Sequence, residues 1–322
     1  MEQRRALAIE ARGLVKVFGT NRAVDGVDLA VPVGRIYALL GPNGAGKTTI
    51  INMLTTLLKP DGGSAQVFHH DVLRETQVVR QLISVTGQSA AVDEKLSGHE
   101  NLTVFAMLLG FGRAEANRRA TELLDEFGLT EAANLTLEKY SGGMRRRLDL
   151  ACSMIVQAPL IFLDEPTTGL DPRTRLQMWD IIRRLVSTGS TIVLTTQYLD
   201  EADQLADRVA VIDHGKIVAE DTPRNLKAAI GRVTLRMQLA NERDVGEAAR
   251  IAEQVLDTRA SVPEPQQVTA PLTNSEKVTD LLIALREANI RLASVSMQEP
   301  TLDEAFLALT GGTKPTEGTA RR

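Results

Sequence analysis

Two hydrophobic periods alternate along most of this 322-residue chain. Ile36 to Leu40 is an unbroken apolar run of strand length that ends in a glycine-rich turn, and from Lys47 the pattern becomes helical. Residues 160–163 predict a second buried strand and 191–194 a third. The stretches 208–213 and 216–218 predict a hairpin turning at His214-Gly215. Between the first two strands a helical stretch, 98–127, carries Val104, Phe105, Leu108 and Leu109 spaced for one helix face, and predicts a separate helical lobe. Buried strands interleaved with helices imply an α/β domain built on a parallel sheet.

After a short helix over 223–230 the pattern restarts. Val233, Leu235, Met237 and Leu239 alternate with polar residues as a half-buried strand requires. A helix follows with Ala248, Ile251 and Val255 in register. Strands over 268–272 and 290–297 then flank a helix carrying Val278, Leu281, Leu282 and Leu285 at i, i+3, i+4 and i+7. This order predicts a small β-α-β-β-α-β domain, an α+β ferredoxin-like arrangement. The expected division is therefore 1–229, with the helical subdomain at about 90–158, then 230–310, then a Gly-, Thr- and Pro-rich tail over 311–322 expected to be disordered.

Composition narrows the function classes. Apolar residues at 43% and charged residues at 24% are those of a folding globular chain, long enough for a large core and a smaller one. With 37 basic against 41 acidic residues the net charge is −4, which lacks the positive excess of a phosphate-backbone binder and argues against nucleic acid as the main partner. The single cysteine, Cys152, cannot form an internal disulfide, and a reduced compartment is expected. The first ten residues lack the apolar core of a secretory signal, and no stretch approaches the roughly 18 apolar residues that span a bilayer. Any membrane role is expected to run through a partner.

The chemistry concentrates in three segments. Gly41-Pro42-Asn43-Gly44-Ala45-Gly46-Lys47-Thr48, followed by Thr49, fits the phosphate-binding loop G-x-x-x-x-G-K-[ST], with strand before and helix after. Its glycines let successive backbone N–H groups turn onto a polyphosphate, Lys47 can reach the β- and γ-phosphates, and Thr48 can ligate Mg²⁺. A chance match in a chain this long has odds of about one in a hundred or less. Asp164 and Glu165 end the buried strand 160–163, at the edge where open α/β sheets bind ligands. Asp164 is the candidate Mg²⁺ partner and Glu165 the candidate base for an attacking water. The bland alternative, that the pair caps the next helix, is better filled by Asp171, immediately before Pro172. Ser141-Gly142-Gly143 opens a third helix; alone, such a triplet is more often plain capping than a ligand site.

Taken together these residues resemble the ABC ATPase family. The phosphate loop, Tyr140-Ser141-Gly142-Gly143-Met144, Asp164-Glu165-Pro166 and Gly169-Leu170-Asp171 occur in that family's order and spacing, over residues 6 to about 229. The resemblance implies a P-loop ATPase domain with a mixed sheet core and a helical subdomain. It further implies that Ser141, Gly142 and Gly143 contact the γ-phosphate of ATP held by a second copy, so that two chains sandwich two nucleotides head to tail. Asp171 would join that nucleotide interface, Gln88 would attend the Mg²⁺ and the water, and Phe18 would stack on adenine, although from the sequence Phe18 reads equally well as a core residue.

Two positions depart from the family pattern. Tyr140 stands where leucine is common, and Gln197, in Thr195-Thr196-Gln197-Tyr198, occupies the usual histidine switch position. Glutamine can hydrogen-bond a γ-phosphate but cannot become a cation near neutral pH, so hydrolysis is expected to lean on Glu165 and to be slow. Within the family the chain is most similar to ATP-binding subunits of daunorubicin-resistance-type drug exporters. The phrases that carry this are 85–88, 141–149, 195–203 and the ending Glu299-Pro300-Thr301-Leu302-Asp303-Glu304-Ala305-Phe306-Leu307. That likeness implies an integral-membrane permease as partner, residence on the cytoplasmic face of the membrane, and export of hydrophobic drugs or lipids. Two other readings are a soluble ABC ATPase acting on ribosomes or DNA, and a weakly hydrolysing regulatory module. One cassette and no sustained heptads between Thr49 and Tyr140 argue against the first, and Lys47, Asp164 and Glu165 together argue against the second.

Overall fold

A computed structural model describes residues 6–86, 92–230, 233–272, 274, 276–298 and 300–310. The chain divides into two compact units at Pro223/Arg224, short of the 229/230 division expected from the pattern.

The first unit opens on two long antiparallel strands, β1 (Leu7–Phe18) and β2 (Asn21–Pro32), which the sequence reading did not resolve. The buried strand β3 (Ile36–Leu40) follows and leads through the glycine loop into α1 (Lys47–Leu54). Next come β4 (Gly62–Val67), β5 (His70–Asp71), α2 (Thr76–Leu82) and β6 (Ile83–Thr86). The helical lobe holds α3 (Gly98–Leu108), α4 (Arg113–Glu126) and α5 (Gly142–Ser153). The unit ends with β7 (Leu160–Asp164), α6 (Pro172–Ser187), β8 (Thr191–Thr196), α7 (Leu199–Leu205) and the hairpin β9 (Arg208–Asp213) to β10 (Lys216–Asp221).

These strands form two sheets. One is antiparallel, in the order β2-β1-β4-β5. The other, β10-β9-β3-β8-β7-β6, is parallel except for its β10 edge. Every residue of β3, β7 and β8 is buried, as expected of parallel strands covered on both faces. Helix α1 buries Ile50, Ile51, Met53 and Leu54 in one cluster with residues of both sheets. At roughly 1.5–3 kcal/mol per fully buried apolar side chain, that anchorage fixes the start of α1, where the phosphate loop ends. The β9–β10 turn places His214 at φ 44 and Gly215 at φ 78, the two left-handed residues of a tight hairpin.

The helical lobe corrects one expectation. Val104 and Leu108 of α3, and Leu109 just after it, are exposed, Leu108 at 77%. The buried face is instead Gly98, Asn101, Leu102 and Ala106. The reason is close approach: a Cβ on Gly98 would stand 2.2 Å from the Tyr140 hydroxyl oxygen, so glycine lets the start of α3 reach Tyr140. The Tyr140 hydroxyl is buried there and donates to the Ala132 carbonyl at 2.9 Å, a packing role for that departure from the family pattern.

The second unit begins with α8 (Pro223–Ile230) from Arg224 onward. It continues with β11 (Thr234–Leu239), α9 (Val245–Leu256), β12 (Ser261–Glu264), β13 (Gln267–Pro271), α10 (Lys277–Glu287), β14 (Leu292–Gln298) and α11 (Leu302–Leu309). The strands lie antiparallel in the order β12-β13-β11-β14, so the element order from β11 to β14 is β-α-β-β-α-β. Leu235, Met237 and Leu239 bury with Ala248, Ala252, Leu281 and Leu285 of the two helices. Helix α11 starts at a capping box in which Thr301 and Glu304 satisfy each other's backbone N–H groups. The tail 311–322 lies outside the described residues.

Candidate nucleotide site

Because β3, β8 and β7 are adjacent and parallel, their C-terminal ends share one edge of the sheet. The phosphate loop leaves β3, Thr195 and Thr196 end β8, and Asp164 ends β7. With neighbouring strands about 4.8 Å apart, the loop and the acidic pair stand two strands, or roughly 10 Å, from each other. Side chains close that gap. The Thr48 hydroxyl lies 3.0 and 3.2 Å from the Asp164 carboxylate oxygens, and the Thr195 hydroxyl donates to the same carboxylate at 2.5 Å.

The loop itself is held from several sides. Gly41 N–H donates to the Thr196 carbonyl and Gly215 N–H to the Ala45 carbonyl, tying the loop to β8 and to the tip of the β9–β10 hairpin. Gly46, the residue before α1, sits at φ 106, and a Cβ there would meet the Ala23 carbonyl oxygen at 2.4 Å. Only glycine satisfies both constraints. The Lys47 ammonium donates to the Gly41 and Pro42 carbonyls at 2.8 and 3.1 Å and lies 3.6 Å from the Glu165 carboxylate. Burial pulls the Lys47 pKa below its ordinary value, and the charges of Glu165 and Asp164 pull it back.

Glu165 stands in a left-handed backbone conformation, φ 49, which is uncommon for a residue with a Cβ. Its N–H donates to both the carbonyl and the hydroxyl of Thr195, and its carboxylate accepts from the Thr168 hydroxyl at 3.2 Å. Strain of this kind persists only where the surroundings over-determine it, and it gathers at working sites.

A cavity of about 960 Å³ opens over this edge. Among its lining residues are Phe18, Asn43, Gly44, Gly46, Lys47, Thr48, Thr49, Gly142 and Glu165. Phe18 is 49% exposed with the Lys16 ammonium 5.6 Å from its ring centroid, so of its two sequence readings the core one is excluded. Gly41 and Ala45, within the loop, are buried and do not line the cavity. Ser141 caps α5 by accepting from Met144 N–H, and Gly143 packs against Thr174; neither lines the cavity. Asp171 also stands outside it. It caps α6 by accepting from the N–H and hydroxyl of Thr174, bonds that hold its carboxyl below the usual range. Gln197, half-buried at the turn after β8, is not in the lining either, and Gln88 lies outside the described residues.

Sequence reasoning passed over Arg145, Arg146 and Asp149, which line the cavity from α5, and Asn21 and Ala23 from the start of β2. The run Met144-Arg145-Arg146-Arg147 was the available signal. Successive helix positions point about 100° apart, so three arginines in a row cannot share one face, and Arg147 donates to the Phe127 and Gly128 carbonyls.

The oxygen set at Thr48 and Asp164 suits a small hard divalent cation that takes one or two protein oxygens and completes its shell with phosphate and water. No cluster of three or more His, Cys, Asp or Glu residues capable of holding a metal on their own occurs among the described residues. The chemistry fits Mg²⁺ carried by a nucleotide better than a dedicated protein cage.

Comparison with known proteins bears on the same residues. Residues 24–168 match the family described as ABC transporter. The chain is 53% identical, over 94% of its own length and 92% of the relative's, to the daunorubicin/doxorubicin resistance ATP-binding protein DrrA of Streptomyces peucetius. The chain belongs to the ABC transporter ATP-binding family, in its daunorubicin-resistance-type branch. It is an ATPase of that family. It is also 46% identical, over 94% of the chain and 95% of the relative, to the daunorubicin resistance ATP-binding protein DrrA2 of Streptomyces coeruleorubidus. Among solved structures, one described as an ATP binding subunit of an ABC transporter superposes with a TM-score of 0.61 at 26% identity, covering 69% of this chain and 92% of that one. No helix among the described residues of this ABC ATPase is long and apolar enough to cross a membrane.

Proposed function

We propose that this chain is the energy-converting subunit of a two-component exporter. Two copies would clasp two ATP molecules head to tail, on the cytoplasmic face of a membrane, beneath a separate permease that carries hydrophobic drugs or lipids. The relatives named for daunorubicin and doxorubicin resistance support a drug cargo, and a chain with no membrane-capable helix among its described residues is compatible with a separate permease.

The observation that carries the catalytic part is the meeting of Lys47 and Thr48 with Asp164 and Glu165 at one sheet edge. In this reading the loop N–H groups and Lys47 hold the β- and γ-phosphates. Thr48 and Asp164 would hold Mg²⁺, which neutralises phosphate charge when bound. Glu165 orients and polarises a water for in-line attack on the γ-phosphorus. The water oxygen bonds to phosphorus, the bond to the β-γ bridging oxygen breaks, and the water proton passes toward Glu165. Ser141, Gly142 and Gly143 offer the positive start of α5 to the γ-phosphate of the opposite copy. Gln197, Gln88, Asp171 and Phe18 take the contacts the family pattern gives them.

Phosphate release by the purified chain, wild type against Glu165→Gln, tests the catalytic assignment. Copurification of a polytopic membrane protein from detergent-solubilised membranes tests the transport assignment. Full turnover by Glu165→Gln, or a chain that never associates with membranes, would refute the corresponding half.

A further inference from the structure

The guanidinium of Arg146 gathers three consecutive backbone carbonyls. Its Nη2 donates to the carbonyls of Asp164 at 2.9 Å and Glu165 at 3.2 Å, and its Nε to that of Pro166 at 3.2 Å. Successive carbonyls of an extended strand point to opposite sides, so three in a row reach one group only where the chain turns. The turn here is the left-handed Glu165. Asp149, one helical turn along α5, accepts from Arg146 Nη1 at 3.4 Å, and both side chains are largely buried, at 15% and 12% exposure.

Glu165 is thus gripped on both sides of its Cα. Thr195 takes its N–H, and Arg146 takes its carbonyl. We propose that Arg146, oriented by Asp149, is a positioning residue that holds the turn over Asp164, Glu165 and Pro166 so that the Glu165 carboxylate faces Lys47 and the phosphate site. The assignment rests on the reading of Glu165 as the group that activates water. Arginine is specifically required, because its planar fork spans three acceptors at fixed angles where an ammonium is a point charge. Burial raises the Asp149 carboxyl pKa and the neighbouring Arg146 cation pulls it back, so the pair is coupled electrostatically as well as by contact. Arg146 also lies in the second turn of α5, the helix proposed to meet the opposite copy's nucleotide, so a shift of that helix would reach Glu165 through this side chain.

The test measures kcat and KM for ATP in the full chain carrying Arg146→Gln, Arg146→Lys or Asp149→Asn, and single-turnover hydrolysis with Arg146→Gln in wild-type and Glu165→Gln backgrounds. Arg146→Gln is expected to lower kcat by at least ~10-fold with KM changed by less than ~3-fold, since a misplaced base loses transition-state stabilisation and not ground-state binding. Arg146→Lys should not restore kcat, and Asp149→Asn should give a smaller loss in the same direction. In the Glu165→Gln background Arg146→Gln should cost nothing further. An equal loss in both backgrounds, a KM effect at unchanged kcat, or full rescue by lysine would overturn the proposal. If Arg146→Gln does not fold, Asp149→Asn and Arg146→Lys decide it, and wild-type kcat in both overturns it. Full turnover by Glu165→Gln alone would remove the reading on which it rests, and is recognised separately because it needs no change at Arg146.

Discussion

The Lys47 ammonium and the Glu165 carboxylate lie 3.6 Å apart, with 4% and 12% of their side chains exposed, although one follows β3 through the glycine loop and the other follows β7, two strands away in the sheet. A buried pair of this kind is costly to break on one side and is sensitive to what is put between its members. Glu165→Gln keeps the shape and removes the charge. It is expected to lower steady-state phosphate release by ~100-fold or more while leaving ATP bound. Lys47→Ala is expected to weaken nucleotide binding itself. Fluorescent-nucleotide titration beside a phosphate assay separates the two outcomes, and equal losses of binding in both variants would contradict the division of labour.

Asp164 accepts from Thr48 and Thr195 at the end of β7. If these oxygens take the cation that accompanies ATP, Asp164→Asn should reduce the gain in nucleotide affinity produced by Mg²⁺ by roughly 10-fold or more, by analogy with other losses at metal sites. Affinity in EDTA should change much less. A variant whose affinity responds to Mg²⁺ as wild type does would rule Asp164 out as a partner of the ion.

Glu201 is fully buried on α7, where it accepts from the Thr167 hydroxyl at 2.8 Å and from the indole of Trp179 at 3.3 Å. Burial lifts its carboxyl above the ordinary value of 4.5, against hydrogen bonds from Thr167 and Trp179 that draw it down. A carboxyl that binds its proton more tightly when folded favours the folded state fully below the unfolded pKa, and that contribution is lost as pH rises through the folded one. Glu201→Gln stays neutral. Its Tm should therefore gain on wild type as pH climbs from below 4.5 toward neutrality. Glu201→Ala, which strands the Thr167 and Trp179 donors, should cost about 1–3 kcal/mol at low pH, a deficit that shrinks as pH rises. Trp179 is the only tryptophan in the chain, so its emission follows unfolding. A Tm offset between Gln and wild type that is constant across pH would sink this prediction.

Gly98 and Tyr140 share one space. Gly98→Ala should destabilise the helical lobe by about 1–3 kcal/mol through overpacking. Tyr140→Phe alone should cost about 1 kcal/mol by removing one of the two donors to the Ala132 carbonyl, which keeps the Leu135 N–H. Combined, the two changes should cost less than their sum, because removing the hydroxyl removes the atom the new methyl would strike. Denaturant unfolding of the four proteins in the cycle measures this, and strict additivity would mean the two residues do not compete.

Much of the parallel core was legible in the chain. The runs 36–40, 160–163 and 192–194 within β3, β7 and β8 are apolar throughout, and burial on both faces writes itself into sequence as an uninterrupted apolar string. The β11 strand was legible for the complementary reason, a strict alternation with one face covered. The long pair β1 and β2 was not. Its register shifts at several points, which breaks the period-two signal on which recognition depends. The exposed Val104, Leu108 and Leu109 misled in the opposite sense, since helical spacing tells which residues share a face but not whether anything covers it.

The same boundary separates chemistry known from the chain and chemistry known only from the fold. Local order alone determined the phosphate loop, the acidic pair and the Asp171 and Ser141 caps, because each depends on residues a few positions apart whose backbone geometry their own types impose. Tertiary structure alone decided that Thr48 meets Asp164, that Lys47 meets Glu165, and that Arg146 gathers the carbonyls around Glu165. These partners approach through strand order and helix packing. Strand order is set by which buried surfaces fit together across the whole unit, and no segment carries that information by itself.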